Sequence, residues 1–538
     1  VKMAKLFYPD FFNDVFGPVM QPGSSSAFAG PCRIGNLARS LIKSEPGRVR
    51  FLFNRSEREI VTIANFMSDR GYLGGVQGFL TDDIRLFDSH ELARKNGITY
   101  DFDYLENEEI QDGSLKIEIT GKEGDRGELV AASVGGGMVR TYKIKGFNID
   151  WQSDSFGILV TYTDKQKAKA HALIFEKAYE EYHLSTLKLE SADGLKGYFI
   201  EVSADIGEEA IRKYFYTENI TVLPALLPVV TIKKRKPQLF KTVEEWRKTA
   251  ADRNISFVQA AIEYEKDFSG WSDDKIWKYF EKIAGILYKQ IHILEDTGYE
   301  NALDTQTLPI YGRSWNNYIK GKNRISDTLT NHILIHAFST NAKLPGTLIV
   351  PGPMGTGGGY LFSALDAVRE ERGYSHEKLV ESLVVAAALG ALAYTHTNAS
   401  GEVGCVGESG VCCAMASGAV TWLAGGDGFQ VENAASMALQ ANIGIPCDPI
   451  PGGLEFPCLT RTLRAAVTAP LYADLALSGI DPLIPYHEVL QAIEYNFSNT
   501  DRAKLCGPEC GCNITETARA CVKNLERHTS GNFHYQAD

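Results

Sequence analysis

The chain reads as an α+β multidomain protein in three parts: an N-terminal α+β domain over residues 1–148, a small mixed unit over 149–235, and an all-α domain over 240–538. Three observations predict this division. Strand-like alternation mixes with helical spacing in the first part. The order β-α-β-β-α-β follows. Beyond residue 240 the periodic segments have helical spacing throughout.

In the first part, Ile60, Ile63, Ala64 and Met67 mark one face of a helix over Arg58–Asp69. Lys116–Thr120 alternates as a strand, and Ser133–Gly137 is a tight glycine turn where positive φ and close approach are available. In the second part, Phe156–Tyr162, Ser185–Glu190, Lys196–Val202 and Ile220–Leu223 are strands, with helices at Lys167–Tyr182 and Glu208–Phe215. That order is the ferredoxin-like fold. Pro224–Pro237, with its basic run Lys233–Lys236, reads as a solvated linker. In the third part, helices are predicted over Thr242–Asn254, Ser256–Lys266, Lys275–Thr297, Ile325–Ala337, Leu361–Glu371, His376–Tyr394, Val411–Leu423, Gln430–Ala441, Leu463–Ser478 and Tyr486–Asn496. Their Ala- and Gly-rich faces suit a closely packed bundle.

Composition excludes several classes. Charged residues are 23%, hydrophobic residues 44%, and the formal net charge is −12. With no long basic face, nucleic-acid binding is not expected. The apolar run Leu383–Tyr394 is too short to span a bilayer, so a buried helix and no membrane partner are expected. The N-terminus has no signal-peptide pattern. Nine of the ten cysteines lie beyond residue 400, which suggests free thiols or metal ligands in a reducing, cytoplasmic setting rather than a disulfide framework.

Cys405, Cys447 and Cys458 each sit beside glycine or proline in a break between predicted helices. Thiolates at helix starts gain from free backbone N–H groups and the helix dipole. Three of them can hold three corners of a cubane iron–sulfur cluster and leave one iron open. Their separations of 42 and 11 residues match no standard zinc or ferredoxin signature, so the residues alone equally allow small buried hydrophobes. Cys412 and Cys413, inside a helix, take that second reading.

The segments Glu402–Glu408, Glu432–Ala435, Asn442–Pro449 and Gly452–Cys458 resemble the α part of the iron–sulfur-dependent L-serine dehydratases. Phe16–Pro18, Ser24–Ser26, Gly30–Asn36 and Gly135–Gly137 resemble the β part. The middle unit resembles an ACT domain, a module that often senses amino acids and pairs with a second copy. The resemblance implies a fused β part, ACT-type unit and α part, a [4Fe–4S] cluster on Cys405, Cys447 and Cys458, and a likeness to cytoplasmic homodimers. It implies an ammonia-lyase: removal of the Cα proton, Lewis-acid departure of the β-hydroxyl, and release of a 2-oxo acid and ammonia.

Substrate contacts then fall on Ser24, Ser25, Ser26, Gly136 and Asn398, the substrate being a small amino or hydroxy acid. Pro353–Gly359 is a small-residue loop before a helix, read either as backbone donors for substrate or as close helix packing. The family's two histidines, after the Ser triplet and near Gly74–Asp82, are absent; Ala27 and Phe28 follow the triplet. His396 is therefore the candidate base. Three alternatives stay open: a cysteine desulfidase, a dehydratase for a bulkier β-hydroxy acid, and a non-catalytic amino-acid sensor. Cys506, Cys510, Cys512 and Cys521 are further thiols that supply a metal ligand, a redox pair or a plain loop.

Overall fold

The computed structural model describes residues 8–54, 63, 67–106, 110–163, 165–192, 194–215, 219–230, 237–298, 310–321, 324–450 and 456–521. The expected helix over Arg58–Asp69 falls largely outside them, as do the basic run Lys233–Lys236 and Gly452–Gly453. The described chain forms two units, one of residues 25–230 and one joining 8–24 to 237–521.

The first unit opens with α1 (Gly30–Arg39), β1 (Pro46–Phe53), α2 (Ser68–Val76), α3 (Ser89–Lys95) and β2 (Thr99–Tyr104). β3 (Ser114–Gly121), β4 (Arg126–Ser133), β5 (Val139–Ile144) and β6 (Phe147–Trp151) follow. The sheet order is β2-β1-β3-β4-β5-β6; β1 and β2 are parallel and the other pairs antiparallel. Alternating residues put Phe51, Phe102, Ile117 and Leu129 on the buried face, and Phe51 stacks on Phe102 at 4.5 Å. Glycine lets α1 and α2 touch: a Cβ on Gly75 would lie 2.0 Å from the Cys32 carbonyl oxygen.

The same unit continues with β7 (Phe156–Tyr162), α4 (Lys165–Ala178), β8 (His183–Glu190), β9 (Lys196–Val202), α5 (Glu208–Arg212) and β10 (Asn219–Leu223). They form an antiparallel sheet of order β10-β7-β9-β8. Val160, Ile200, Phe175 and Phe215 pack between sheet and helices. Trp151 and Phe199 meet edge to face at 5.5 Å, so the opposite face of this sheet belongs to the core of the larger one.

The second unit is helical: α6 (Val243–Arg253), α7 (Phe257–Ser269), α8 (Asp273–Thr297), α9 (Tyr311–Ile319), α10 (Thr328–Ala342) and α11 (Gly357–Arg372). Then come α12 (His376–His396), α13 (Ser409–Leu423), α14 (Gly428–Gln440), α15 (Cys458–Leu477), α16 (Tyr486–Asn499) and the short α17 (Arg502–Leu505). Side chains of Thr242, Ser256, Ser272, Asp327, Ser375 and Asp427 cap helix starts by accepting backbone N–H bonds. The 21-residue α12 is long and apolar enough to cross a membrane by composition, yet 78% of its most apolar window is buried, as expected of a core helix. A Cβ on Gly418 would lie 2.3 Å from Leu389 Cδ1, so α13 rests directly on α12.

The N-terminal segment belongs to this helical unit. Phe11 stacks on Tyr264 at 5.4 Å, and Phe12 packs on Tyr279 at 4.5 Å. Tyr264 donates to the Pro9 carbonyl, and the Phe11 N–H donates to Glu265 Oε2 at 2.8 Å. The domain division read from the sequence put residues 1–148 together. Residues 8–24 instead follow the aromatic pocket of α7 and α8, more than 250 positions away in the chain, which local periodicity does not register. Helix α15 also starts five residues before the expected Leu463, at Cys458 itself.

Candidate active site

Three breaks between helices supply the thiols, all within the helical unit. Cys405 opens a tight turn, Cys405–Gly407, that leads into α13. Cys447 lies in the connection after α14, and Cys458 is the first residue of α15. Glycine makes their approach possible. Gly404 has φ +98°, and a Cβ there would lie 2.6 Å from the Ile445 carbonyl oxygen, just before Cys447. A Cβ on Gly401 would lie 2.8 Å from Cys447 Sγ and 3.4 Å from Glu408 Oε2. One glycine-lined turn therefore carries Cys405 and Glu408 and receives Cys447.

Electrostatics tie the group together. Burial pushes the Cys405 thiol up, with a further push from Glu408; Ser409, whose Oγ is 3.0 Å from Cys405 Sγ, and Arg461 act the other way. The Cys447 thiol is raised by its hydrogen bond to Cys506, then by burial, Glu408 and Cys458. Cys506 is lowered by the same hydrogen bond, with help from Arg502. Cys506 is thus the more acidic thiol of the two. Desolvation pushes the Glu408 carboxyl up to about 6.

Arg461 on α15 donates to the Pro446 carbonyl at 2.7 Å and to Asp448 Oδ1, fixing the turn that presents Cys447. Asp448 is fully buried and also accepts the Cys512 N–H. The stretch 505–513 docks on the same turn: the Cys447 N–H donates to the Leu505 carbonyl at 2.7 Å, and Gly507 N–H returns to the Cys447 carbonyl. Cys510 Sγ lies 3.5 Å from that carbonyl oxygen, while Cys512 is exposed and Cys521 partly so.

This donor set fits the cluster that the sequence suggests. Cys405 and Cys447 share Glu408 as an electrostatic neighbour, and Cys458 acts on Cys447. Buried thiols that resist ionisation alone are stabilised as thiolates by a metal centre, and sulfur ligands suit iron–sulfur chemistry. The missing Cβ of Gly401 leaves the Cys447 sulfur its place.

The other candidates are distributed differently. His396 ends α12, and its Nε2 lies 2.6 Å from the Lys241 carbonyl oxygen. Burial lowers its pKa, and Lys241, His487 and Glu245 are its electrostatic neighbours. Asn398 Nδ2 donates to Glu402 Oε2 at 3.1 Å, in the loop that leads to Cys405. Ser24 falls in the helical unit, whereas Ser25, Ser26 and Gly136 fall in the sheet unit. There, Ser25 and Ser26 lead into α1, whose Arg33 donates to the Gly137 carbonyl at 2.8 Å; the serine segment and the glycine turn are thereby neighbours. Gly135, Gly136 and Gly137 all have positive φ. Phe28, which follows the serine triplet, is buried and packs against Phe87 at 5.8 Å.

In the Pro353–Gly359 loop, packing accounts for the glycines. Added Cβ atoms on Gly357, Gly358 and Gly359 would lie 2.2 Å, 2.5 Å and 2.5 Å from Gly352 O, Val350 O and Gln290 Nε2. Cys412 donates to the Gly357 carbonyl, and Cys413 lies beside Thr468, both as core residues. Sequence reasoning gave Glu408 and Arg461 no role. Glu408 stood three residues from Cys405 in a quoted motif, which was the available signal; Arg461 had none.

The helical unit, with Cys405 and Cys447 meeting at a glycine-lined turn and Cys458 opening α15, carries a candidate enzyme site. Residues 252–501 match the serine dehydratase alpha chain family. The chain is 30% identical over 178 residues to the L-serine dehydratase beta chain of Peptoniphilus asaccharolyticus, covering 32% of this chain and 79% of that one. It is 27% identical over 263 residues to the probable L-serine dehydratase alpha chain of Bacillus subtilis, covering 47% and 85%. It is 42% identical over 108 residues to the L-serine dehydratase of Streptomyces coelicolor, a match that spans 20% of this chain and only 24% of that enzyme. The chain belongs to the L-serine dehydratase family and joins beta-like and alpha-like parts in one polypeptide.

Proposed function

We propose that this chain is a lyase that eliminates the β-hydroxyl of a small amino acid, L-serine in the first instance, to give pyruvate and ammonia. Cys405, Cys447 and Cys458 would hold a [4Fe–4S] cluster, which when bound supplies a Lewis acid for the departing hydroxide. The observation that carries this reading is the meeting of Cys405, Glu408 and Cys447 at one glycine-lined turn, with Cys458 an electrostatic neighbour of Cys447, inside the segment that matches the alpha chain family.

Glu408 is the proton-handling group of this reading. A carboxyl raised to about 6 takes or returns a proton near neutral pH. His396 is less suited, because its Nε2 is engaged with the Lys241 carbonyl. Arg461 balances negative charge at Cys405 while holding the Cys447 turn. Asn398 steadies the approach to the site by fixing Glu402. The β-α-β-β-α-β unit is read as an ACT-type module that binds an amino acid and pairs two chains.

The test is anaerobic. Iron and sulfide content are measured beside pyruvate and ammonia release from L-serine. Cys405→Ser should remove both cluster absorbance and turnover, whereas Glu408→Gln should keep the cluster and lose turnover. Normal turnover in protein without iron or sulfide would sink the proposal.

A further inference from the structure

A second cluster of metal-ligating side chains lies in the helical unit, on the facing surfaces of α8, α10 and α11. His292, His336 and Asp366 each offer one ligand atom, and the three atoms lie within 4.8 Å of one another. His336 is 1% exposed and Asp366 is fully buried. Cys412, in the part of this unit that holds the cysteine site, meets α11 at Gly357. Asp366 lies nine residues further along that helix, about 13 Å of rise.

Several polar atoms of the cluster are buried and unpaired. His336 Nδ1 and Asp366 Oδ2 are buried polar atoms without a hydrogen-bond partner. On native terms such atoms are rare and costly unless a water or ion satisfies them. Their neighbours follow suit. Ser339 Oγ and Thr340 Oγ1, three and four residues past His336 on the same face of α10, lack partners, as do both amide atoms of Gln290 on α8. Among the described residues this is a concentration of unmet polar groups on three packed helices.

The remaining atoms of the ligand candidates are held as metal sites hold them. His292 Nδ1 is 2.8 Å from the Tyr288 carbonyl oxygen, which fixes the proton there and leaves the Nε2 lone pair for a ligand, with Glu295 Oε2 4.0 Å away. His336 makes a backbone hydrogen bond at Ser363, and burial keeps its ring neutral, the form that binds metal. Asp366 Oδ1 receives Arg369 Nε at 2.6 Å, which orients the carboxylate and leaves Oδ2. The rings of His292 and His336 are 4.7 Å apart, and those of His332 and His336 are 4.6 Å apart. His332 faces Glu370 and Glu371, at 3.3 Å each.

We propose that His292, His336 and Asp366 bind a divalent first-row transition-metal ion, zinc in the first instance, as a clamp between α8, α10 and α11. Two imidazoles and one carboxylate are a zinc-type set, and they leave a fourth position for water. A shift of about an ångström in each side chain brings the donors to the roughly 2.0–2.2 Å that zinc requires. The ion would satisfy His336 Nδ1 and Asp366 Oδ2 together.

The experiment uses the full chain, purified anaerobically and loaded with zinc sulfate. Zinc per chain is counted by mass spectrometry, and the metal's shell is read by zinc-edge X-ray absorption. The expected result is one zinc per chain with nitrogen and oxygen ligands only, and a melting temperature raised by zinc. His336→Gln and Asp366→Asn should each weaken that zinc by at least the ten- to hundredfold, roughly, that loss of an outer partner already costs. Their iron and sulfide content should stay unchanged. If those buried variants misfold, His292→Gln, at a half-buried position, carries the same expectation. A purely sulfur-bound zinc, no zinc at all, or equal zinc affinity in the folded variants overturns the proposal.

Discussion

Replacing Gly401 by alanine separates the fold of the helical unit from its capacity to hold a cluster. The added Cβ would lie 2.8 Å from Cys447 Sγ, about 0.7 Å inside ordinary contact. In the cluster-free protein the sulfur is the free end of a side chain and rotates away. Gly401 is not among the positive-φ glycines, so alanine also brings a small gain of about 0.4–1 kcal/mol through the unfolded state. The melting temperature should therefore move by no more than about 2–4 °C. In the loaded protein the sulfur is pinned by iron. The overlap then appears as overpacking strain of about 1–3 kcal/mol, which lowers cluster affinity roughly five- to hundredfold. Iron and sulfide are assayed after anaerobic reconstitution at limiting iron, with calorimetric melting of the cluster-free form alongside. Gly425→Ala is the control: its φ is +89° and nothing lies within 4 Å of the added atom, so strain appears without cluster loss. Full iron and sulfide in Gly401→Ala would show that Cys447 does not bind iron from this position.

Other outcomes follow from the same geometry. In cluster-free protein exposed to air, Cys447 and Cys506 should pair first, because they share a hydrogen bond and Cys506 is the more acidic; peptide mapping that finds Cys447 joined to Cys458 instead would contradict this. Burial holds the Glu265 carboxyl above its usual 4.5, near 8. Its stabilising effect is complete below about 4.5 and lost as pH rises through about 8, so Glu265→Gln should flatten that slope in urea denaturation midpoints. Phe11→Ala should cost about 3–5 kcal/mol in the same assay, since Phe11 is fully buried against Tyr264; a change within 1 kcal/mol, roughly the size of a surface substitution, would contradict the packing described.

Much of the architecture was legible because it is local. Alternation in Phe156–Tyr162 and Lys196–Val202 located two strands that pair directly, and helical spacing located α12 and α13. What was not legible depends on distance or on exchange of partners. The N-terminal strap is set by Phe11 reaching Tyr264 and Glu265, a contact no window along the chain can register. The start of α15 at Cys458 was missed because Pro457 and the polar Thr460 and Arg461 hide the apolar spacing. His396 drew attention by standing nine residues before Cys405, yet the end of α12 delivers its ring to Lys241. His336 and Asp366 gave no warning at all, because two polar residues on separate helices mean nothing until packing leaves their atoms unmet.

The position of Cys447 rests on more than its own loop. Asp448 is fully buried, and a lone carboxylate there would carry a heavy desolvation penalty. Arg461 from α15 and the Cys512 N–H from the 505–513 stretch offset it from two sides. Removing either partner leaves a buried charge, which by general experience costs about 3–5 kcal/mol. The turn can relieve that cost only by moving, and Cys447 moves with it. Arg461 also reaches Cys405, and the 505–513 stretch brings Cys506 to Cys447. The C-terminal cysteine stretch is thus part of the frame that sets the thiol centre, whichever of its sulfurs meet a metal. Asp448→Asn should accordingly lower iron content although its side chain is no ligand, and Cys512→Ser, which keeps the backbone N–H, should not. Equal iron content in Asp448→Asn and the parent protein would mean that the turn stands without its buried ion pair.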